Sequence, residues 1–140
     1  MGMMEILVAR RKSRWAREVL AVYGVEIPAR VHIGKRFHLV HRGFGTVIHP
    51  DTIIGDDVQI YHQVTIGRAD GHRPRSESAM QRVEIGDGAI LFPGAKVLGG
   101  PGVTRVGDGT IVAANSVLTT STGDNEVWAG VPARKVSDRK

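Results

Sequence analysis

The chain has 140 residues, the size of one domain, and a net charge of +5 at neutral pH. It contains no cysteine, which excludes a disulfide framework and thiol chemistry, and no apolar stretch approaches the ~20 residues of a membrane-spanning helix. From these two absences we expect a cytoplasmic protein with no membrane partner. Few aromatic residues lie among the basic ones, so we expect no nucleic-acid partner. The positive charge would suit an anionic, phosphate-bearing ligand.

The N-terminal segment is predicted to form one amphipathic helix over residues 3–22, ending at Gly24, a residue type common after helix C-termini. The apolar residues able to share one face are Ile6, Leu7, Trp15, Val19 and Leu20. We expect residues 1–24 to form an N-terminal capping helix, because the repeat domain that follows must close its exposed end.

From residue 25 onwards, aliphatic residues recur at every sixth position, a period that neither an α-helix nor an ordinary β-strand produces. These positions are Ile33 and Leu39; Ile48, Ile54, Ile60 and Ile66; Ile85, Leu91 and Val97; and Val106, Val112 and Leu118. Each six-residue unit is one short strand and one turn, and three units make a triangular coil of about 18 residues. The pattern predicts an all-β solenoid, a parallel β-helix of hexapeptide repeats, over residues 25–136.

Three longer steps interrupt the period. Steps of nine residues follow Leu39 and Val97, and a step of 19 residues follows Ile66. The interval inside the longest step is polar and charged, so we predict an extended loop at residues 68–81, where solenoids often carry function. The tail after Trp128 is predicted to leave the last coil.

Small residues and Gly-Asp pairs follow many of the aliphatic positions. The small residues are Val58, Val64, Ala89, Ala95, Thr110 and Ser116. The Gly-Asp pairs are at residues 55–56, 86–87 and 107–108. We expect the small residues to fit where a turn crowds the interior. In each pair we expect the glycine to adopt positive φ and the aspartate to cap its own backbone.

All the histidines lie in one part of the chain. They are His32, His38, His41, His49, His62 and His72. Histidine acts as a general base near neutral pH or as a metal ligand. The cluster therefore predicts a functional site in this half of the repeat domain.

Four segments resemble the serine O-acetyltransferases, in the same order along the chain. They are LVHRGFGTVIHP at 39–50, VTIG at 64–67, GAKVLG at 94–99 and AGVPAR at 129–134. The resemblance covers residues 25–136 and implies a left-handed parallel β-helix, acetyl-CoA as co-substrate and no metal. The repeat and the GVPAR segment are shared by many acyltransferases, whereas the segment around residue 41 is more specific.

The resemblance also implies roles for individual residues. His41 stands where the family has the general base that takes the proton from the acceptor hydroxyl, and Glu26 stands where an aspartate orients that base. His72 is the candidate for a second family histidine in the loop; in similar sugar acetyltransferases, a histidine in such a segment is the base itself. Arg82 aligns with that second histidine when the count starts from Ile85, and His62 is expected to face the same cleft as a substrate contact.

For the co-substrate, the resemblance implies contacts along the coils towards the C-terminal end. Gly67 and Arg68 are expected near the thioester, and Pro93 and Ala114 along the pantetheine arm. Arg134 and Lys135 are the expected partners of the CoA phosphates.

The acceptor remains open between serine and a sugar or polysaccharide hydroxyl. Serine acetyltransferases carry an acidic residue immediately before the base, where this chain has Val40. The chain also ends in Ser137-Asp138-Arg139-Lys140 instead of the isoleucine that docks into the next enzyme of cysteine synthesis, so no cysteine-synthase complex is expected.

Two other classes of protein share features of the pattern. Zinc lyases similar to γ-class carbonic anhydrases use the same fold with three histidines across a trimer interface. A non-catalytic scaffold would keep the repeat without the chemistry.

The flat faces of a β-helix suit packing around a threefold axis. We therefore expect a homotrimer, with a small-molecule hydroxyl acceptor bound between neighbouring subunits.

Overall fold

The computed structural model describes residues 2–140 and begins with two short helices, where the sequence predicts one. Helix α1 is Met3–Ala9 and helix α2 is Arg14–Val22. The helix is interrupted between them, where the guanidinium of Arg11 donates to the Val8 carbonyl at 2.8 Å and the Pro28 carbonyl at 3.3 Å. Arg17 donates to the Arg11 carbonyl at 2.6 Å, which satisfies a backbone acceptor at the break.

The break decides which apolar side chains meet the core. The buried ones are Met4, Leu7, Val8, Ala16 and Leu20. Ile6, Trp15 and Val19, predicted to share the buried face, are instead 43%, 53% and 36% exposed. The predicted end of the helical segment is confirmed, since Gly24 has a φ of +71° just beyond α2. None of the helices within residues 2–140 has the length and apolar character needed to cross a bilayer.

The rest of the chain winds into three parallel sheets, which form the faces of a triangular prism. The first face contains β1 (His32–Ile33), β4 (Thr52–Ile54), β7 (Met80–Ile85) and β10 (Gly102–Val106). The second contains β2 (His38–Leu39), β5 (Gln59–Ile60), β8 (Ile90–Leu91), β11 (Ile111–Val112), β13 (Glu126–Gly130) and β14 (Ala133–Asp138). The third contains β3 (Val47–Ile48), β6 (Thr65–Arg68), β9 (Lys96–Gly99) and β12 (Val117–Leu118).

The hexapeptide period is confirmed, because the predicted aliphatic positions point into one column. From Leu39 to Leu118, every one of them is at most 2% exposed, and Ile33 is partly buried against the same core. The small residues that follow them are also buried. Parallel pairing places like positions of successive coils side by side, as in Leu39 beside Ile60 and Ile60 beside Leu91.

The Gly-Asp pairs serve a different purpose from the one predicted. At the corner between the first and second faces, the side chain of each aspartate accepts a hydrogen bond from the backbone N–H one coil earlier. The pairs are Lys35 to Asp56 at 2.7 Å, Asp56 to Asp87 at 2.8 Å, Asp87 to Asp108 at 2.8 Å and Asp108 to Asp124 at 2.8 Å. This aspartate ladder links successive coils, so the prediction that each aspartate caps its own backbone is wrong.

The glycines of these pairs are required by space, and not by positive φ as predicted. None of Gly55, Gly86 and Gly107 has positive φ. A Cβ on Gly86 would collide with the carboxylate and backbone nitrogen of Asp108 in the next coil. Only a residue without a side chain allows the aspartate ladder to approach this closely.

The long step after Ile66 is an insertion at the corner between the third and first faces, as predicted. Strand β6 runs to Arg68 and β7 begins at Met80, so the irregular part is residues 69–79. The loop is folded on itself: the Ser78 hydroxyl donates to Asp70 at 3.0 Å, and Arg75 pairs with Asp51 at 2.8 Å.

The C-terminal tail does not leave the coil. After a turn at residues 131–132 it returns as β14, antiparallel to β13. Strand β13 pairs in parallel with β11 and continues the second face, and β14 covers its outer edge, so the predicted departure after Trp128 is wrong.

Candidate functional site

Four of the predicted site residues occupy one corner of the prism in four successive coils. His41, His62, Pro93 and Ala114 each lie two positions after a buried aliphatic residue of the second face. Those aliphatic residues, Leu39, Ile60, Leu91 and Val112, are neighbours in register. The corner between the second and third faces therefore carries a continuous column, which we call the histidine corner (residues 40–43, 61–63, 92–94 and 113–115).

His41 sits in a tight turn that extra residues make possible. The nine-residue step after Leu39 contains a tight, kinked turn, Val40–Gly43, in which His41 and Arg42 have φ of +52° and +62°. Positive φ is uncommon for residues other than glycine and often marks functional sites. The imidazole of His41 is exposed, and no residue of 2–140 hydrogen-bonds to it.

The ring of His41 lies against two side chains of the next coil. Its centroid is 6.0 Å from that of Tyr61 and 5.7 Å from that of His62, both in edge-on contact. Nδ1 of His62 is buried without a hydrogen-bond partner within residues 2–140. Buried polar atoms are rarely left unpaired, because an unpaired one costs roughly 1–3 kcal/mol. Such atoms are more typical of functional sites than of structural cores.

Two aromatic residues that no sequence motif singles out also lie on this corner. Tyr61 and Phe92 follow directly after Ile60 and Leu91, and their ring centroids are 5.0 Å apart. Both side chains are half-buried. The sequence feature that could have identified them is their shared position, one residue after a buried aliphatic residue in adjacent coils.

Glu26 lies on the third face and not beside His41. It pairs as an isolated bridge with Val47, and its side chain is exposed in a groove of about 830 Å³ between α2 and the first coil. Within residues 2–140, no hydrogen bond or ion pair joins its carboxylate to the imidazole of His41. The orienting role of Glu26 stays a prediction.

The remaining predicted site residues near the loop are at the opposite edge of the third face. Gly67 and Arg68 pair with Leu98 and Gly99, and His72 is exposed in the loop. His62 is at the corner where the second face turns into the third, and Arg68 is at the end of β6, on the other edge of the third face. One chain therefore does not bring the loop and the histidine corner together.

The arginines at this edge are partly committed to internal contacts. Arg68 pairs with Asp70 at 3.1 Å and donates to the Arg73 carbonyl at 3.0 Å. Arg82 is 3.6 Å from the Glu84 carboxylate, and its Nε is buried without a hydrogen bond in the described part of the chain.

His49 is a further histidine at this edge, and its environment disfavours the protonated ring. The Asp51 backbone N–H donates to its Nδ1 at 3.0 Å, so the ring proton of the neutral form is on Nε2. Burial, and then the positive charges of Arg68, Arg75 and Arg30, lower the pKa of His49 below its ordinary 6.5.

The predicted phosphate contacts lie on the C-terminal hairpin. Arg134 is exposed, and no other residue within 2–140 hydrogen-bonds to its guanidinium. Lys135 is bound to Asp138 at 2.9 Å and to Glu126 at 3.0 Å; the hydrogen bonds to these carboxylates raise its pKa. Trp128 donates to Glu126 at 3.1 Å and packs against the core. Across residues 2–140 of one chain, no three His, Asp or Glu side chains are grouped as metal ligands.

Comparison with known proteins gives a consistent set of relatives. Serine acetyltransferase 4 of Arabidopsis thaliana is 35% identical over 138 residues, covering 92% of this chain and 36% of the plant protein. The crystal structure of serine acetyltransferase from Brucella abortus superposes with a TM-score of 0.74 at 26% identity, covering 98% of this chain and 54% of the other. A serine acetyltransferase in complex with CoA has a TM-score of 0.72 at 25% identity, covering 95% and 52%.

No protein-family model matches the chain, and the chain spans about half the length, or less, of the relatives that it matches. Their agreement confirms the resemblance inferred from the four sequence segments and the left-handed parallel β-helix that it implies. By sequence and by fold, the chain is therefore a relative of the serine acetyltransferases, which are hexapeptide-repeat acyltransferases.

Proposed function

We propose that this protein is an acetyl-CoA-dependent O-acetyltransferase in which His41 is the general base. The observation that carries the proposal is the histidine corner, where an exposed imidazole in the most family-specific segment shares one column with Pro93 and Ala114. In the reaction, His41 takes the proton of an acceptor hydroxyl as its oxygen attacks the thioester carbonyl. A C–O bond forms, the C–S bond breaks, and the departing CoA thiolate takes up a proton.

The histidine corner also suits the extended arm of the co-substrate. Beyond His62 it carries the small residues Pro93, Gly94 and Ala114, with successive coils about 4.8 Å apart. A pantetheine chain along this edge would meet mostly backbone and small side chains. The thioester would then lie towards His41 and the nucleotide towards the C-terminal end of the corner.

Arg134 is the better candidate for binding the CoA phosphates. The β13–β14 hairpin lies at the C-terminal end of the histidine corner, because Trp128 pairs with Val112 and the Gly130 N–H donates to Ser116 at 3.0 Å. The guanidinium of Arg134 is uncommitted, whereas Lys135 already binds two carboxylates. A phosphate would have to displace those carboxylates to bind Lys135.

We propose further that the complete site forms between subunits of a homotrimer in the cytoplasm. A threefold neighbour could bring its loop, with His72, Arg68 and Arg82, against the histidine corner, which one chain does not do. The Nε of Arg82 is 3.6 Å from the Glu84 carboxylate but makes no hydrogen bond within residues 2–140, which supports a hydrogen bond to another molecule. Equilibrium sedimentation should give three times the chain mass; a monomer at every concentration would contradict the shared site.

The direct test is release of free thiol from acetyl-CoA in the presence of hydroxyl acceptors. The panel should contain L-serine, homoserine, simple sugars and nucleotide sugars. We expect acceptor-dependent release, with the O-acetylated product identified by mass spectrometry. Absence of release with every acceptor, together with no CoA binding by calorimetry, would contradict acetyl transfer and favour a scaffold.

A further inference from the structure

We propose that Tyr61 and Phe92 form a stacking platform that binds the ring of a carbohydrate acceptor next to His41. This inference rests on the proposed acetyl transfer and names the class of acceptor. The two aromatic rings come from adjacent coils, lie 5.0 Å apart and are tilted by 45°. The edge-on contact between Tyr61 and His41, at 6.0 Å, makes the aromatic surface continuous with the base.

The platform has the chemistry that a sugar ring requires. A pyranose has one face of C–H groups and a rim of hydroxyls. An aromatic surface can cover the C–H face by removing apolar area from water. Tyr61 and Phe92 are half-buried and their rings pack against each other, so part of each residue stays open to solvent. A hydroxyl on the rim of a ring bound there would be next to the imidazole of His41.

The same corner is poorly suited to free serine. Serine presents an ammonium close to its hydroxyl, and a charged group bound away from water needs an opposite charge or strong hydrogen bonds. The arginines of a neighbour's loop would pair the serine carboxylate but not its ammonium. Val40 precedes His41, and no carboxylate of residues 2–140 hydrogen-bonds to His41, Tyr61 or His62. An acceptor ring without charge needs no such partner.

Saturation-transfer difference NMR tests the platform without requiring turnover. Methyl α-D-glucopyranoside, methyl β-D-galactopyranoside, N-acetylglucosamine and L-serine would be the probes for the full chain. We expect at least one pyranoside to bind, and its apparent dissociation constant to rise about three- to tenfold in Tyr61→Leu and in Phe92→Leu, the effect of losing one aromatic contact. Phe92→Tyr should keep the binding.

Phe37→Leu is the matched control, because Phe37 is also a partly buried aromatic residue packed on the core but lies at a different corner. It should bind the pyranoside as the wild type does. Thermal unfolding of each variant identifies any that fails to fold; if one leucine variant fails, the other still tests the platform.

The outcomes separate this inference from the proposed function. Transfer of acetyl groups to L-serine, unchanged in Tyr61→Leu and Phe92→Leu, would overturn the platform while supporting acetyl transfer. No binding of any pyranoside would overturn it as well. Pyranoside binding that depends on both rings, without thiol release from acetyl-CoA for any acceptor, would support the platform and contradict acetyl transfer.

Discussion

Replacing His41 with asparagine should lower kcat for acetyl transfer by about 10²–10⁴-fold, because the acceptor hydroxyl would lose its proton acceptor. Asparagine is a better probe than alanine, since it tolerates the φ of +52° at this position and keeps a polar side chain. The dissociation constant of CoA should change little, because His41 is at the acceptor end of the histidine corner. Steady-state thiol release and calorimetric CoA binding measure the two quantities.

The matched control for this variant is His32→Asn. His32 is an exposed histidine of the same coil that lies on the first face, away from the histidine corner. Its replacement should leave kcat within about twofold of the wild type. Full activity in His41→Asn, with loss of activity in His72→Asn, would contradict the assignment and make the loop histidine the base.

Replacing Gly86 with alanine should destabilise the protein by about 2–4 kcal/mol. The new Cβ would overlap the carboxylate and backbone nitrogen of Asp108, and overpacking of a rigid neighbour costs roughly 1–3 kcal/mol. Displacement of Asp108 would also break its 2.8 Å hydrogen bond from the Asp87 N–H, worth roughly another 1 kcal/mol. The midpoint of chemical denaturation at a fixed protein concentration measures the change.

Gly71→Ala is the control for this variant. Gly71 is in the exposed loop, its φ is not positive, and the nearest atom to an added Cβ is the Arg68 carbonyl oxygen at 3.6 Å. The free energy of unfolding should therefore stay within about 0.5 kcal/mol of the wild type. Equal midpoints for Gly86→Ala and Gly71→Ala would show that the aspartate ladder does not hold the coils together.

The helical cap shows where prediction from sequence stops. The apolar period in residues 3–22 suits one amphipathic helix, yet the chain forms two. The deciding contacts are those of Arg11 with carbonyls 3 and 17 residues away in sequence. No local pattern specifies the second of these contacts, because it exists only once the first coil has formed.

The candidate site also has features that the local sequence predicts and features that it does not. The segment around His41 is recognisable in the sequence because its residues and their order are local. The contact between Tyr61 and Phe92 joins residues 31 positions apart, and it depends on how far the loop insertion shifts the next coil. The separation of Glu26 from His41 is likewise a matter of which face each residue occupies.

By itself, the sequence determined the β-helix, its buried column, the position of the loop and the family-specific segment around His41. Each of these follows from the alternation of one aliphatic residue and one turn within six residues, which is a local property. Only the tertiary structure revealed the aspartate ladder, the residues that make up the histidine corner and the close contact that requires a glycine at position 86. These depend on contacts between coils, and the residues that meet there are brought together by stacking and not by their spacing in the chain.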